Sequence, residues 1–256
     1  MKRCKFTKIV AGLSVVASIM GTTAFAEDTR IALVVKALGI GFFEAAAKGA
    51  EEAAAELGGV KIIYTGPTST TAEGQIEVIN SLIAQKVDAI AISANDRDAL
   101  VPIGKKAMAR GITIISWDSG IGEDGRVMNL DPSNTALIGS SNIKWMKNSM
   151  GDEGEFAILS ATSQATNQNA WIEEMKKEFA KPEYSKMKWV DTVYGDDLFD
   201  KSYQEALGLF KKYPNLKGII APTSVGIVAA AKAVEDQGLV GKVYVTGLGL
   251  PSEMKA

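Results

Sequence analysis

Trp117-Asp118-Ser119-Gly120 sets a flat aromatic and a carboxylate just past the apolar run Ile112-Thr113-Ile114-Ile115. A β-branched run of this kind fits a strand buried on both faces of a parallel sheet. In open α/β sheets, ligands sit beyond the carboxyl ends of the strands. An aromatic face beside an acceptor-only carboxylate, placed there, suits a hydroxyl-rich ring. The competing reading is structural: Trp117 closes the core and Asp118 caps a helix or turn. Other polar residues fall at comparable places. Lys36 follows Ile31–Val35, with Gly39-x-Gly41-Phe42-Phe43 behind it, and Ser93-Ala94-Asn95-Asp96 closes the run that starts at Asp88. Further along come Thr166-Asn167-Gln168-Asn169, Tyr194-Gly195-Asp196-Asp197 and Pro222-Thr223-Ser224.

Each of these has a plain alternative. A lone lysine after a strand is usually solvated, or could form a weak exposed ion pair with Asp118. Asn167, Asp196 and Asp197 could be helix N-caps. Phe42 and Phe43 could be core, with one of the two facing a cleft. Their shared position after successive strands favours a site more than any one residue does.

Composition removes several chemistries. The 256 residues include no histidine and one cysteine, Cys4, near the amino terminus. This leaves neither the commonest general base nor a thiolate or the usual zinc ligands for a catalytic centre. Carboxylate, lysine and tyrosine chemistry remain. Lys2, Arg3, Lys5 and Lys8 precede the apolar run Ile9–Met20, and Ala24-Phe25-Ala26 then has the pattern of a signal-peptidase site. Residues 1–26 are therefore expected to be a cleaved leader and the protein to be released into the periplasm. Removing those four basic residues from the 28 leaves 24 against 30 acids, a net charge of −6. That balance argues against nucleic acid or an anionic membrane surface as partner. Gly39-x-Gly41-x-x-Glu44 lacks the third glycine of a dinucleotide fingerprint and puts a carboxylate where a pyrophosphate would sit. No cofactor and no metal are expected.

The elements that must position these residues alternate regularly. Apolar runs at 31–35, 61–64, 88–93 and 112–116 alternate with helical patterns at 41–57, 71–85 and 99–110. A short segment, 126–129, leads to Asp131-Pro132, where the chain turns. The alternation then restarts, with helices at 133–150, 167–179, 198–213 and 225–237 and strands at 155–160, 188–194, 217–221 and 243–246. This predicts an α/β protein of two doubly wound parallel-sheet domains, 27–130 and 131–256, with facing strand ends forming a cleft. After the last strand, Ser252 looks like an N-cap with no helix to cap, so the second domain is expected to be incomplete and the chain to continue. Without such return segments, unpaired sheet edges would be an aggregation liability.

Arg30–Phe43, Tyr64-Thr65-Gly66-Pro67-Thr68, Ile112–Gly120, Thr166–Trp171 and Ile219-Ile220-Ala221-Pro222-Thr223 resemble the exported sugar-binding proteins of ABC importers. These are type I, ribose-binding-like periplasmic binding proteins. The strongest resemblance is to rhamnose-binding proteins, followed by receptors for the signal autoinducer-2. The resemblance implies a clam-like fold whose C-terminal segments cross back to complete both domains. It also implies a monomer that binds a neutral deoxyhexose and delivers it to a membrane permease, without catalysis. The ligand contacts of autoinducer-2 receptors correspond to Lys36, Asp118, Asn167, Gln168, Pro222 and Ser224. Asn167 replaces an aspartate and Ser224 an alanine of those receptors, which favours rhamnose. Asp118 would accept from vicinal hydroxyls while Lys36 donates to one of them. Asn167 and Gln168 would reach in from the opposing domain, and Trp117 or Phe42 would lie against the apolar side of the sugar. Three alternatives stay open: an autoinducer-2 receptor, a subunit reading the same sugar to a chemoreceptor, and a glycosidase pairing Asp118 with Asp196 or Glu44. The last needs carboxylates about 5–10 Å apart.

Overall fold

The computed structural model describes residues 28–255, so the expected leader and its cleavage site lie outside the described residues. Two parallel sheets carry the fold. The first has strand order β2-β1-β3-β4-β5, made of β1 (Thr29–Val34), β2 (Val60–Thr65), β3 (Ala89–Ile92), β4 (Thr113–Trp117) and β5 (Met128–Leu130). The second has strand order β7-β6-β8-β9, made of β6 (Gly154–Ser160), β7 (Met187–Tyr194), β8 (Leu216–Ala221) and β9 (Tyr244–Gly247). All pairings are parallel. The helices are α1 (Gly41–Leu57), α2 (Ala72–Ala84), α3 (Val101–Met108), α4 (Thr135–Met150), α5 (Thr166–Phe179), α6 (Phe199–Lys212) and α7 (Ser224–Asp236). The short segment expected at 126–129 is the edge strand β5.

Period-two alternation decides which helix covers which sheet face. In the first sheet, Ala32, Val34, Ile90, Ile92 and Ile114 form one core with Ile79, Leu82 and Ile83 of α2 and Ile103 and Ala107 of α3. Leu33, Ala91 and the partly buried Ile115 turn the other way, against Ala47 and Ala50 of α1. In the second sheet, Phe156, Ile158 and Ile220 meet α4 and α5 through Ile143, Met146, Ile172 and Met175. Ala157, Leu159, Ile219 and Ala221 meet Ala206 and Leu209 of α6 and Ala230 and Ala233 of α7. Each sheet is thus covered on both faces, as the alternation predicts. β4 is a partial exception: Ile114 and Ser116 are fully buried, whereas Ile115 and Trp117 on the α1 side keep some exposure. Small alanines cover that face less completely than the branched side chains of α2 and α3 cover the other.

Thr71 caps α2 by accepting from Gly74 N at 3.3 Å, and Asn134 caps α4 by accepting from Leu137 N at 2.9 Å. Between α4 and α5 the helices approach closely at Gly139. A methyl group there would lie 2.4 Å from Glu174 Cβ and 2.8 Å from the Trp171 carbonyl oxygen. Gly139→Ala is therefore expected to destabilise the fold by about 1–2 kcal/mol, since a modest gain in helix propensity only partly offsets the displacement. Urea unfolding with an unchanged m value checks this, and equal or greater stability would contradict the close approach.

Candidate functional site

The carboxyl ends of both sheets face each other, and the chain delivers its polar residues there from six strands, β1, β3, β4, β6, β7 and β8. At the first sheet the strand ends are locked by a residue that sequence reading passed over. Gln75 lies on α2 in register with Ile79 and Ile83, and it is fully buried. Its Nε2 donates to the Val35 carbonyl at 3.0 Å and the Ser93 carbonyl at 2.7 Å, and its Oε1 accepts from Asn95 N at 2.8 Å. Asn95 in turn donates from Nδ2 to the Lys36 carbonyl at 2.8 Å and the Thr71 carbonyl at 3.2 Å. These bonds hold the backbone where β1 and β3 stop pairing and Lys36 and Ser93 begin the site. The available signal was a glutamine spaced four and eight residues before two core isoleucines.

Lys36, Asp118 and Asn167 come together in the cleft. Lys36 Nζ donates to Asn167 Oδ1 at 3.1 Å, and Asn167 Nδ2 donates to Asp118 Oδ1 at 2.9 Å. Ser93 Oγ donates to Asp118 Oδ2 at 2.7 Å. Lys36 and Asp118 are therefore bridged by an amide from the opposing half; no direct ion pair joins them among the described residues. The exposed salt bridge entertained above does not occur, because Lys36 is only 4% exposed and Asp118 8%. Among the described residues one of the three Lys36 ammonium donors is engaged, and a buried ammonium is costly unless further acceptors reach it. Asp118 is held at φ 59°, a left-handed turn that asparagine and aspartate tolerate better than most residues. Ser119 N donates to the Trp117 carbonyl across that turn at 2.6 Å.

The N-cap reading fails for Asn167, Asp196 and Asp197. The N-cap of α5 is Ala165 and that of α6 is Leu198, neither with a side-chain cap. Asn167 sits one residue inside α5, so its amide is free to cross the cleft. Gln168 also has partners within its own half of the protein. Its Nε2 donates to the Pro222 carbonyl at 2.6 Å and its Oε1 accepts from Ser160 Oγ at 3.3 Å. Much of its hydrogen-bonding capacity thus fixes the β8–α7 turn.

A cavity of about 450 Å³ opens between the two sheets, within the usual range of small-molecule sites. Lys36, Phe42, Asp118, Asn167, Gln168, Pro222 and Ser224 line it, together with Trp171, Asp197 and Thr223. Trp117 does not line it. The indole packs behind, stacked on Phe42 with ring centroids 6.3 Å apart and edge-on to Phe43 at 5.8 Å. Trp117 shares the α1-facing side of β4 with Ile115, which points it under α1 rather than past the strand end. Phe42 therefore lines the cavity and Trp117 supports it from behind.

Asp197 is the residue the sequence undervalued most. Its turn follows β7, with Asp196 and Asp197 both left-handed at φ 54° and 53°, and Thr223 Oγ1 donates to its Oδ1. The residue keeps some accessible surface, but its carboxyl lies in the crowded cleft floor. Burial there pushes it above the ordinary carboxylate range, with Asp118 and Asp196 adding to the rise; Lys36 and the Thr223 hydroxyl oppose it. One cation and two carboxylates in the cavity disfavour an anionic ligand and suit a neutral polyol.

Comparison with known proteins agrees with this architecture. Residues 31–256 match the family described as periplasmic binding protein domain. A solved ABC transporter solute-binding protein from Clostridium phytofermentas, with bound L-rhamnose, is 41% identical and superposes with a TM-score of 0.87. The match covers 90% of this chain and 72% of that one. A Burkholderia graminis solute-binding protein in complex with D-arabinose is 32% identical at a TM-score of 0.81, covering 90% and 79%. A D-ribose/D-allose-binding protein of Pseudomonas aeruginosa is 26% identical over 96% of this chain and 81% of its own length.

Proposed function

Because this chain belongs to the periplasmic binding protein family, we propose that it is the solute-binding component of an ABC sugar importer. Its ligand is a neutral sugar held in the cleft, with L-rhamnose first. The observation that carries this reading is the buried Lys36–Asn167–Asp118 array lining the cavity between facing strand ends. In the bound state, sugar hydroxyls donate to Asp118 and accept from the two uncommitted N–H groups of Lys36. The Phe42 ring, backed by Trp117, lies against the apolar side of the ring and its methyl. Water exclusion on closure strengthens these polar contacts. The closed form is what a membrane permease in the same envelope would recognise.

Support for rhamnose over other sugars comes from the 41% identical relative with that sugar bound. Asn167 and Ser224, which depart from the pattern of autoinducer-2 receptors, point the same way. The protein acts by binding and release, without turnover, as one copy in the periplasm.

Calorimetric titration with L-rhamnose, D-arabinose, D-allose and autoinducer-2 tests this. The expected result is saturable 1:1 binding, tightest for L-rhamnose, with the sugar recovered unchanged. Tight binding of autoinducer-2 alone would make the protein a signal receptor. Product released from a rhamnoside would make it an enzyme.

A further inference from the structure

The turn that carries Asp197 into the cavity also touches the opposite half of the molecule. Thr70 lies in the loop after β2, and its Oγ1 donates to the Asp196 carbonyl at 2.9 Å. Asp196 and Asp197 thus make adjacent contacts of different kinds. The carbonyl of one reaches the first sheet's loop, and the carboxyl of the other lines the sugar cavity. Both are themselves in the left-handed region, and two consecutive non-glycine residues there are disfavoured without support from their surroundings. The turn is fixed on both flanks. Lys201 pairs with the Asp196 carboxylate, and Thr223 holds the Asp197 carboxyl. Gly195 packs against Ser202 so closely that a methyl group there would meet Ser202 Oγ at 2.0 Å.

Resting on the sugar-binding reading above, we infer that the Asp196-Asp197 turn is a recognition-coupled latch. The Asp197 carboxyl accepts a sugar hydroxyl, and the turn geometry this selects presents the Asp196 carbonyl to Thr70, so that ligand recognition and closure of the two halves share one rigid unit. Among the described residues the Thr223 hydroxyl donates to the Asp197 carboxyl, a group that can accept several bonds when ionised. A sugar hydroxyl supplies another and stabilises the ionised form. The charged groups around it are Lys36 after β1, Asp118 after β4, Asp196 and Lys201 on its own side, and Glu253, which borders an adjoining cavity that Asp197 also lines. Affinity should accordingly fall as acid protonates Asp197.

Asp197→Gly separates recognition from a merely structural role. Glycine adopts the left-handed turn readily, so the backbone is retained while the carboxyl is removed. Titrations of the wild type, Asp197→Gly, Thr70→Val and the double variant with L-rhamnose form a cycle, with scattering in solution reporting closure. We expect about a 10- to 100-fold loss of affinity in Asp197→Gly, the range for hydrogen bonds to a charged group. Its pH profile should be flatter than that of the wild type. Thr70→Val should lose several-fold and close less completely, and the double variant should lose less than the product of the two, the mark of one unit. Asp197→Asn, which also tolerates the turn, provides a second carboxyl-free variant should glycine loosen the fold. If the wild type binds rhamnose and both carboxyl-free variants stay within twofold of it, or the two sites prove independent, the latch is wrong. If the wild type binds no sugar, the failure lies with the proposed function instead.

Discussion

Asp118→Asn is expected to lower affinity for L-rhamnose by about 100-fold, roughly 3 kcal/mol, while leaving the thermal unfolding midpoint nearly unchanged. The substitution suits its surroundings. Asparagine tolerates the left-handed backbone at this position, where φ is 59°. Its amide oxygen can still accept from Asn167 Nδ2, and its amide nitrogen can donate to Ser93 Oγ in place of the bond now made to Asp118 Oδ2. What disappears is the charge and the acceptor capacity left for sugar hydroxyls. Lys36 also loses a nearby counter-charge in a site where it is 4% exposed, so the ordering of its ammonium toward the ligand weakens as well. Calorimetry measures the affinity, and a thermal melt of the sugar-free protein checks the fold. Affinity within threefold of the wild type would remove Asp118 from the binding site.

Gln75→Leu should destabilise the protein by about 3–6 kcal/mol, a large part of the stability of an ordinary domain. Leucine matches the side chain in size and suits a helix, so neither a cavity nor lost propensity explains the effect. The cause is three backbone groups left buried without partners: the carbonyls of Val35 and Ser93 and the amide of Asn95. Each costs about 1–3 kcal/mol when unsatisfied. Urea unfolding gives the stability change, and a loss below 1 kcal/mol would mean these groups find other partners. Sugar affinity should fall too, because the same bonds hold the backbone of Lys36 and Asn95 in place.

Both effects converge on one feature of the fold. Strand ends of a parallel sheet leave backbone groups unpaired just where ligands bind, and something must satisfy them. At the first sheet Gln75 and Asn95 do this from within the protein. At the second, Gln168 holds the Pro222 carbonyl. The groups that remain uncommitted, on Lys36, Asp118 and Asp197, are those available to a ligand.

The alternation of apolar runs and helical patterns was enough to place the strands and helices within a few residues. Apolar periodicity and the glycine and proline punctuation are local properties, and the parallel sheets follow from the alternation itself. The same alternation put Lys36, Asp118, Asn167 and Pro222 after strands, which marked them as site candidates before any contact was known. The sequence could not say which of several polar groups would meet. Lys36 and Asn167 are separated by 131 residues and Asn167 and Asp118 by 49, so the contact depends on two sheets facing each other. Of Trp117 and Phe42, either of which could have faced the cavity, only Phe42 lines it, because the strand pleat turns the indole under α1. Gln75 looked like an ordinary helix polar residue, although its spacing to Ile79 and Ile83 already put it on the buried side. Asp197 looked like a helix cap, and only a left-handed turn after β7 carries it into the cavity. Local pattern determined the elements and the ends at which chemistry gathers. Side-chain direction and long-range packing, which no local pattern encodes, decided which residues form the site.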